Sequence, residues 1–293
     1  MLTKHQYQVT SYLLILPAAF MVIFFLILPM FQNIYYSFYE WDGLTEPVFN
    51  GVKNYINMFT DSNFLVSFRN TIIWVVFTLI FPVMGGLLVA IFLRGIKYDS
   101  LFKTIFFIPL TISFVSTSMI WRYMFSFDFG VINTSLSLLA GKEVGIAWLT
   151  DVPLNTFSML IAWTWQQLGV NMALFLMGLT SIPQDPIEAA LIDGASKWKT
   201  FVHVTFPMLR PTTTVVITMA IVNSFKAFDI IYVTTWGGPY RSSETLAVTM
   251  FRETFTMFRM GYGAAIAVLL SIIVIAISGF YIKNMTQKDL LYY

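Results

Sequence analysis

Two groups of polar side chains stand inside long apolar runs: Trp163, Gln167 and Asn171 in one, Asn223, Ser224 and Lys226 in another. Residues four apart share a helix face, which groups Trp163, Gln167 and Asn171, and the spacing of three groups Asn223 with Lys226. With the runs taken as 156–180 and 212–235, Gln167 and Asn223 each lie eleven residues in. That is roughly 16 Å at the rise of an α-helix, near the middle of a hydrocarbon core about 30 Å thick. Amides, hydroxyls and an indole make an uncharged polar surface with an aromatic platform, the chemistry that holds sugar hydroxyls and sugar ring faces. An anionic substrate would call for converging arginines, and no run interior contains one. Two roles stay open to these side chains: a polar path through a helix bundle, or hydrogen bonds between helices worth about 0.6–2 kcal/mol each. Lys226 and Asp229, three apart, could pair with each other, the reading preferred for Asp229, or touch substrate.

Other chemistry finds no residues to perform it. A phosphate cradle needs a glycine-rich loop ending Gly-Lys-Ser/Thr, and the only Gly-Lys here, Gly141-Lys142, is followed by Glu143. There is no His-Glu-x-x-His and no serine elbow. Cysteine is absent, and the two histidines, His5 and His203, lie far apart in the sequence, so no metal set is expected. The chain is therefore expected not to be an enzyme and to bind no cofactor or nucleotide itself. A net charge of +2 gives no nucleic-acid signal.

The elements that position the polar groups follow from composition. Only 11% of residues are charged, against about 25% in a soluble domain. Six apolar runs, about 11–38, 67–93, 104–125, 156–180, 212–235 and 261–282, each suffice to cross a bilayer. Their backbone must bond internally, and they do not alternate as barrel strands would, so they are helices. The first run is longer than a signal-peptide core and counts as a span. The fold class is thus an all-α membrane protein, a single domain over 1–293 with six transmembrane helices. Gly85-Gly86 and Ala90 suit close helix packing, and Pro17 and Pro29 should bend the first span. Lys4, Arg94, Lys97, Lys103, Lys197, Lys199, Arg210, Lys283 and Lys288 lie on the termini and two connections; Lys53, Arg69, Arg122, Lys142, Arg241, Arg252 and Arg259 lie on the other three. This bias of nine to seven puts both termini and the 181–211 connection in the cytoplasm.

That connection, 181–211, is polar between two apolar runs. Asp185-Pro186-Ile187-Glu188 reads as a helix start, with Asp185 as cap, Pro186 in the first turn and Glu188 as a capping-box acid. Ala189, Ala190 and Ala195 are small enough for close approach, Gly194 permits a bend, and Ser196 can cap a second helix that Pro207 and Pro211 kink or stop.

The pattern Glu188-Ala-Ala, three residues, Gly194, nine residues, then Val204-Thr-Phe-Pro207 closely resembles the EAA motif of ATP-binding-cassette importer permeases, with Val204 and Phe206 replacing an isoleucine and a leucine. Phe49-Asn-Gly-Val-Lys-Asn-Tyr55, Phe68-Arg-Asn-Thr71, Phe106-Phe-Ile-Pro109, Trp236-Gly-Gly-Pro239 and Gly261-Tyr-Gly-Ala-Ala265 are similar to the carbohydrate, maltose-transporter-like class. Within it the chain resembles the larger-permease type without that subunit's extra outer domain. The resemblance implies a type I importer permease fold and a cytoplasmic coupling helix docking on a separate ATPase, with Glu188, Ala189, Ala190, Asp193, Gly194, Ala195 and Pro207 as coupling residues. It implies a second permease subunit, a homodimeric ATPase carrying ATP and Mg²⁺, an extracytoplasmic substrate-binding protein, and a sugar or oligosaccharide as substrate. Positions matching the family's sugar site include Gln167, Val170, Asn223, Ser224 and Ala227.

Competing classes are a self-contained secondary carrier for a small polar solute, an importer permease for a polyol or glycerol-phosphate compound, and a membrane-embedded enzyme. The first lacks an evident proton-relay or ion-site cluster, the glycerol-phosphate substrate lacks positive charge, and the third lacks a nucleophile or metal set.

Overall fold

The computed structural model describes residues 4–94, 97 and 99–289, with side chains for 13–94, 97 and 99–283. Lys4 and Lys288, which entered the charge bias, have side chains outside the described residues.

In chain order, α1 runs over residues 4–36, a two-stranded antiparallel ribbon pairs β1 (Tyr39–Glu40) with β2 (Val48–Phe49), and α2 (Lys53–Met58) follows. Next come α3 (Ser62–Leu93), α4 (Asp99–Thr111), α5 (Phe114–Met124), α6 (Val131–Ala140) and α7 (Leu154–Thr180). The chain continues through α8 (Asp185–Ile192), α9 (residues 197–208), α10 (Arg210–Phe225), α11 (Asp229–Thr235), α12 (residues 246–256) and α13 (Met260–Asp289). The chain falls into two compact units, one of residues up to Asp61 with Met250–Ser271, the other of Ser62–Thr249 with residues from Ile272 on.

In the first unit, the Leu13–Tyr36 stretch of α1 is strongly apolar and none of it is buried within the chain, as a helix facing lipid or another subunit should be. The ribbon closes through an Asx turn in which Asp42 accepts from the Leu44 and Thr45 amides and from the Thr45 hydroxyl. These donors hold its carboxyl down, to about 2. The motif from Phe49 to Tyr55 has a structural use, because Asn54 donates to the Ser37 and Tyr39 carbonyls. Gly261 and Gly263 serve packing: a Cβ on either would collide with the Tyr39 carbonyl or the Thr254 hydroxyl.

The second unit packs around α7, with fourteen of its 27 residues buried. One core cluster joins Val83, Ala90, Met172, Phe175, Leu209 and Val216; another joins Trp74, Met159, Trp163, Ile230 and Val248. Gly86 packs as its neighbourhood predicts, since a Cβ there would sit 2.6 Å from Asn171 Cβ and 2.8 Å from the Met172 amide nitrogen.

Among the described residues, four helical stretches are long and apolar enough to cross a membrane: Leu13–Tyr36, Ser62–Leu93, Arg210–Thr235 and Met260–Lys283. The pair α4–α5, bent by 102°, passes the same test only when its two helices are taken together. This bend breaks the single helix expected over 104–125. Pro109 ends α4 in a tight Ile108–Thr111 turn, Ile112 is extended, and the Ser113 hydroxyl caps α5 by accepting from the Ser116 amide. The expected span over 156–180 coincides with α7, which is long enough but too rich in amides to qualify by composition. The fifth expected span is likewise two helices, interrupted at Lys226–Phe228. Three other prolines sit at wide turns rather than sharp kinks: π turns at Ile23–Ile27 and Phe201–Thr205 precede Pro29 and Pro207, and one at Leu79–Val83 contains Pro82; Pro17 lies within a regular α-helix. An extra residue in the turn relieves the missing donor and the ring clash.

Candidate translocation and coupling sites

The polar residues of α7 are held inside the chain. Trp163 donates to Thr78 Oγ1 at 3.1 Å, lies flat against Phe114 with centroids 5.2 Å apart, and meets Trp74 edge-on at 5.4 Å. Its ring is a core element, so the open aromatic platform expected there is filled by protein. Asn171 donates to the Gln167 carbonyl of its own helix at 3.0 Å. Ser224 is buried and donates to Ala220 O at 2.6 Å. Ala227 is buried in the same core cluster as Trp163, which brings α7 together with the α10–α11 break. Gln167 and Asn223 make no side-chain hydrogen bond among the described residues, and Val170 and Asn223 are half-buried. Lys226 and Asp229 are both exposed and form no ion pair with each other; the break at 226–228 takes them off a common helix, so of the two readings left open for them the pairing is not seen.

The breaks themselves are served by polar side chains that sequence reasoning left without a role. Gln166 donates to the Ile112 carbonyl at 2.8 Å, at the bend between α4 and α5, while its own Oε1 is buried without a partner. Thr245 donates to the Ala227 carbonyl at 2.8 Å, at the break between α10 and α11. Non-helical backbone at membrane depth is tolerated only where protein satisfies it, and these two donors do so. Gly169 supports the bend, because a Cβ there would strike the Phe106 carbonyl. A third clamp holds the Trp236–Thr245 turn. Asn70 donates to the Ser242 and Glu244 carbonyls, Asn155 to the Gly238 carbonyl and the Ser242 hydroxyl, and buried Glu244 receives Arg241 at 2.9 Å and the Thr249 hydroxyl at 2.7 Å. The signal for Asn70 was in the sequence, within Phe68-Arg-Asn-Thr71, but its partners lie about 170 residues away.

The polar connection forms an arm on a fixed base. Ile182 and Leu209, at its two ends, are buried in the first core cluster, and Ile187 packs on the same cluster. Helix α8 starts without a side-chain cap, at Gln184, so Asp185 does not cap it; Pro186 occupies the first turn as expected. Its end is a Schellman turn: the Ala195 amide donates to the Ala190 carbonyl and the Gly194 amide to the Leu191 carbonyl, with Gly194 at φ +83°. That backbone is the reason for glycine, since a Cβ on Gly194 would meet nothing within 4 Å. Ser196 caps α9, accepting from the Lys199 amide, and Pro207 follows the π turn. Glu188, Ala189 and Asp193 are exposed and Ala190 and Ala195 half-buried. Beside them Ile192 is 85% and Trp198 72% exposed, large apolar groups held out by a rigid scaffold.

A protruding helical arm rooted in the core, beside broken and amide-bearing spans, coincides with a family match. Residues 82–290 match the family described as "Binding-protein-dependent transport system inner membrane component". The chain belongs to this family. Its relatives include the osmoprotective compounds uptake permease protein GgtC of Synechocystis, 35% identical over 89% of this chain and 93% of that protein. The multiple sugar-binding transport system permease protein MsmF of Streptococcus mutans is 33% identical over 92% of each. Among solved structures, a bacterial importer of the acidic polysaccharide alginate contains a chain with the same fold, at TM-score 0.83 and 20% identity over 95% of both chains. The expected resemblance to importer permeases, and the type I permease fold, are borne out; the chain is an inner-membrane component of a binding-protein-dependent transport system.

Proposed function

We propose that this chain is one permease subunit of an ATP-driven importer for a sugar or oligosaccharide, forming half of the translocation path. The observation that carries the coupling role is the arm from Asp185 to Pro207, pinned by Ile182 and Leu209 and ending in exposed Glu188, Ala189, Ile192 and Trp198. An ATPase that grips this arm moves the core to which it is anchored. The arm faces the cytoplasm, as do both termini, and α7 completes six spans. Its amides escape lipid because the rest of the chain surrounds them.

A homodimeric ATPase carrying ATP and Mg²⁺, a second permease and an extracytoplasmic binding protein complete the assembly; this chain contributes no catalysis and no cofactor. The relatives' names support a sugar-like cargo, as do the unsatisfied, uncharged amides of Gln167 and Asn223. Packing claims Trp163, Asn171, Ser224 and Ala227, so the substrate-contacting set narrows to Gln167, Val170, Asn223 and the exposed Lys226. Proteoliposomes carrying both permeases and the ATPase should take up sugar only with ATP inside and binding protein outside. Uptake by this chain alone, driven by an ion gradient, would make it a secondary carrier instead.

A further inference from the structure

The connection between α5 and α7 is not the polar loop its length suggests. Tyr123, Phe127 and Phe129 are more than half exposed, and α6, ten residues long and too short to cross a bilayer, leaves Leu138 and Leu139 80% and 86% exposed. Beneath the three aromatic rings lies a cavity of about 560 Å³, lined also by Met119, Trp148 and Arg122. No carboxylate lines it, and Arg122, in the last turn of α5, is exposed and makes no ion pair among the described residues. Trp148 is fixed in place by donating to Asn133 Oδ1 at 2.8 Å, and Asn133 is buried and donates to the Phe127 and Ile146 carbonyls. The pocket is therefore built on a held wall rather than on a loose loop.

We propose that this pocket binds an anionic phospholipid, with its phosphate on Arg122 and its acyl chains along Met119, Phe127 and Phe129, and that α6 lies flat in the same interface. Depth fixes the occupant's class. The pocket sits at the end of the apolar pair α4–α5, read here as one bent span, and at the end of α7 opposite the Asp185–Pro207 arm. There, aromatic residues meet headgroups, and an amphipathic or apolar helix too short to span rests on the surface. Charge selects the headgroup: one unpaired guanidinium in a cavity without carboxylates favours a phosphate, which arginine takes bidentately. This reading depends on membrane insertion only and would stand if the cargo were not a sugar.

The test is native mass spectrometry of the full chain, purified in its complex, titrated with phosphatidylglycerol and with phosphatidylcholine. Phosphatidylglycerol should be retained preferentially. Arg122→Gln should lower its retention about fivefold, the effect of one basic residue at an anionic surface, with phosphatidylcholine unchanged, and Arg122→Lys should restore most of it. Excess inorganic phosphate should not displace the lipid, because the acyl contacts contribute. The proposal is overturned if Arg122→Gln leaves phosphatidylglycerol retention unchanged, which would make Arg122 a side chain merely reaching for water. It is equally overturned if Phe127→Ser with Phe129→Ser releases the second permease while lipid retention is unaltered, which would make the patch a subunit interface.

Discussion

Gly194, where the sequence allows the arm to bend, could exclude side chains by crowding or by its backbone; the space around its missing Cβ is open, and its φ of +83° is what requires glycine. Substitutions separate the two. Asparagine tolerates the left-handed region, whereas a β-branched residue there costs about 1–2 kcal/mol, reducing the population of the capped arm by a factor of about 5–30. Gly194→Asn should keep the sugar transported per ATP hydrolysed near that of the parent, and Gly194→Val should lower it, in the reconstituted complex. Equal loss in both would mean that a surface outside the chain, not the turn, excludes side chains here. A second residue-scale expectation concerns Asp42. Its carboxyl pKa is lowered to about 2 by the amides and hydroxyl it accepts, against about 3.9 unperturbed. A depressed acid stabilises its fold above the unperturbed value and loses that contribution as pH falls through about 2. Hydrogen exchange at Leu44 and Thr45, corrected for intrinsic rate, should be flat between pH 7 and 4 and accelerate below that; Asp42→Ala should show the fast rate throughout. A protected turn in Asp42→Ala would remove the carboxylate from the account.

At the scale of elements, two spans are broken, and each break is tied by one donor from elsewhere in the fold. Replacing Gln166 by leucine leaves the Ile112 carbonyl unsatisfied, and Thr245→Val does the same to Ala227; a buried unpaired acceptor costs about 1–3 kcal/mol. Both variants should lower the unfolding midpoint of the purified complex in detergent, and Thr245→Ser, which keeps the hydroxyl, should sit near the parent. A Thr245→Ser as unstable as Thr245→Val would assign the loss to the methyl group's packing. These breaks mark where the sequence ceased to be legible. Six apolar runs, their helical character and the two-helix arm could be read from composition, spacing and the Pro186, Gly194 and Ser196 signals. The bend at Ile112 was half visible in Pro109. The break at Lys226-Ala227-Phe228 carried no proline or glycine, and the donor that serves it, Thr245 on the Ala227 carbonyl, lies eighteen residues on. Likewise Trp163, Gln167 and Asn171 share a face as spacing requires, but spacing is silent on what covers that face. Phe114 and Trp74 cover Trp163 and turn an apparent sugar platform into core.

For the whole molecule, the open quantity is topology, and α7 decides it. Hydropathy favours four helical stretches and one bent pair, and an odd number of crossings would put the two termini on opposite sides. Burial argues otherwise: α7 is long enough to span, and its amides are enclosed by protein, so its cost in lipid is small despite its composition. The absence of cysteine gives a clean background for labelling. Lys142→Cys precedes α7, Ile192→Cys follows it on the arm, and Tyr240→Cys follows the next span; all three positions are exposed. A membrane-impermeant maleimide applied to intact cells should label the first and third, and reach Ile192→Cys only after permeabilisation. If Lys142→Cys and Ile192→Cys react from the same side, α7 does not cross. An arm exposed outside the cell has no ATPase to grip it, so Ile192→Cys labelled in intact cells would remove the coupling mechanism together with the six-span topology.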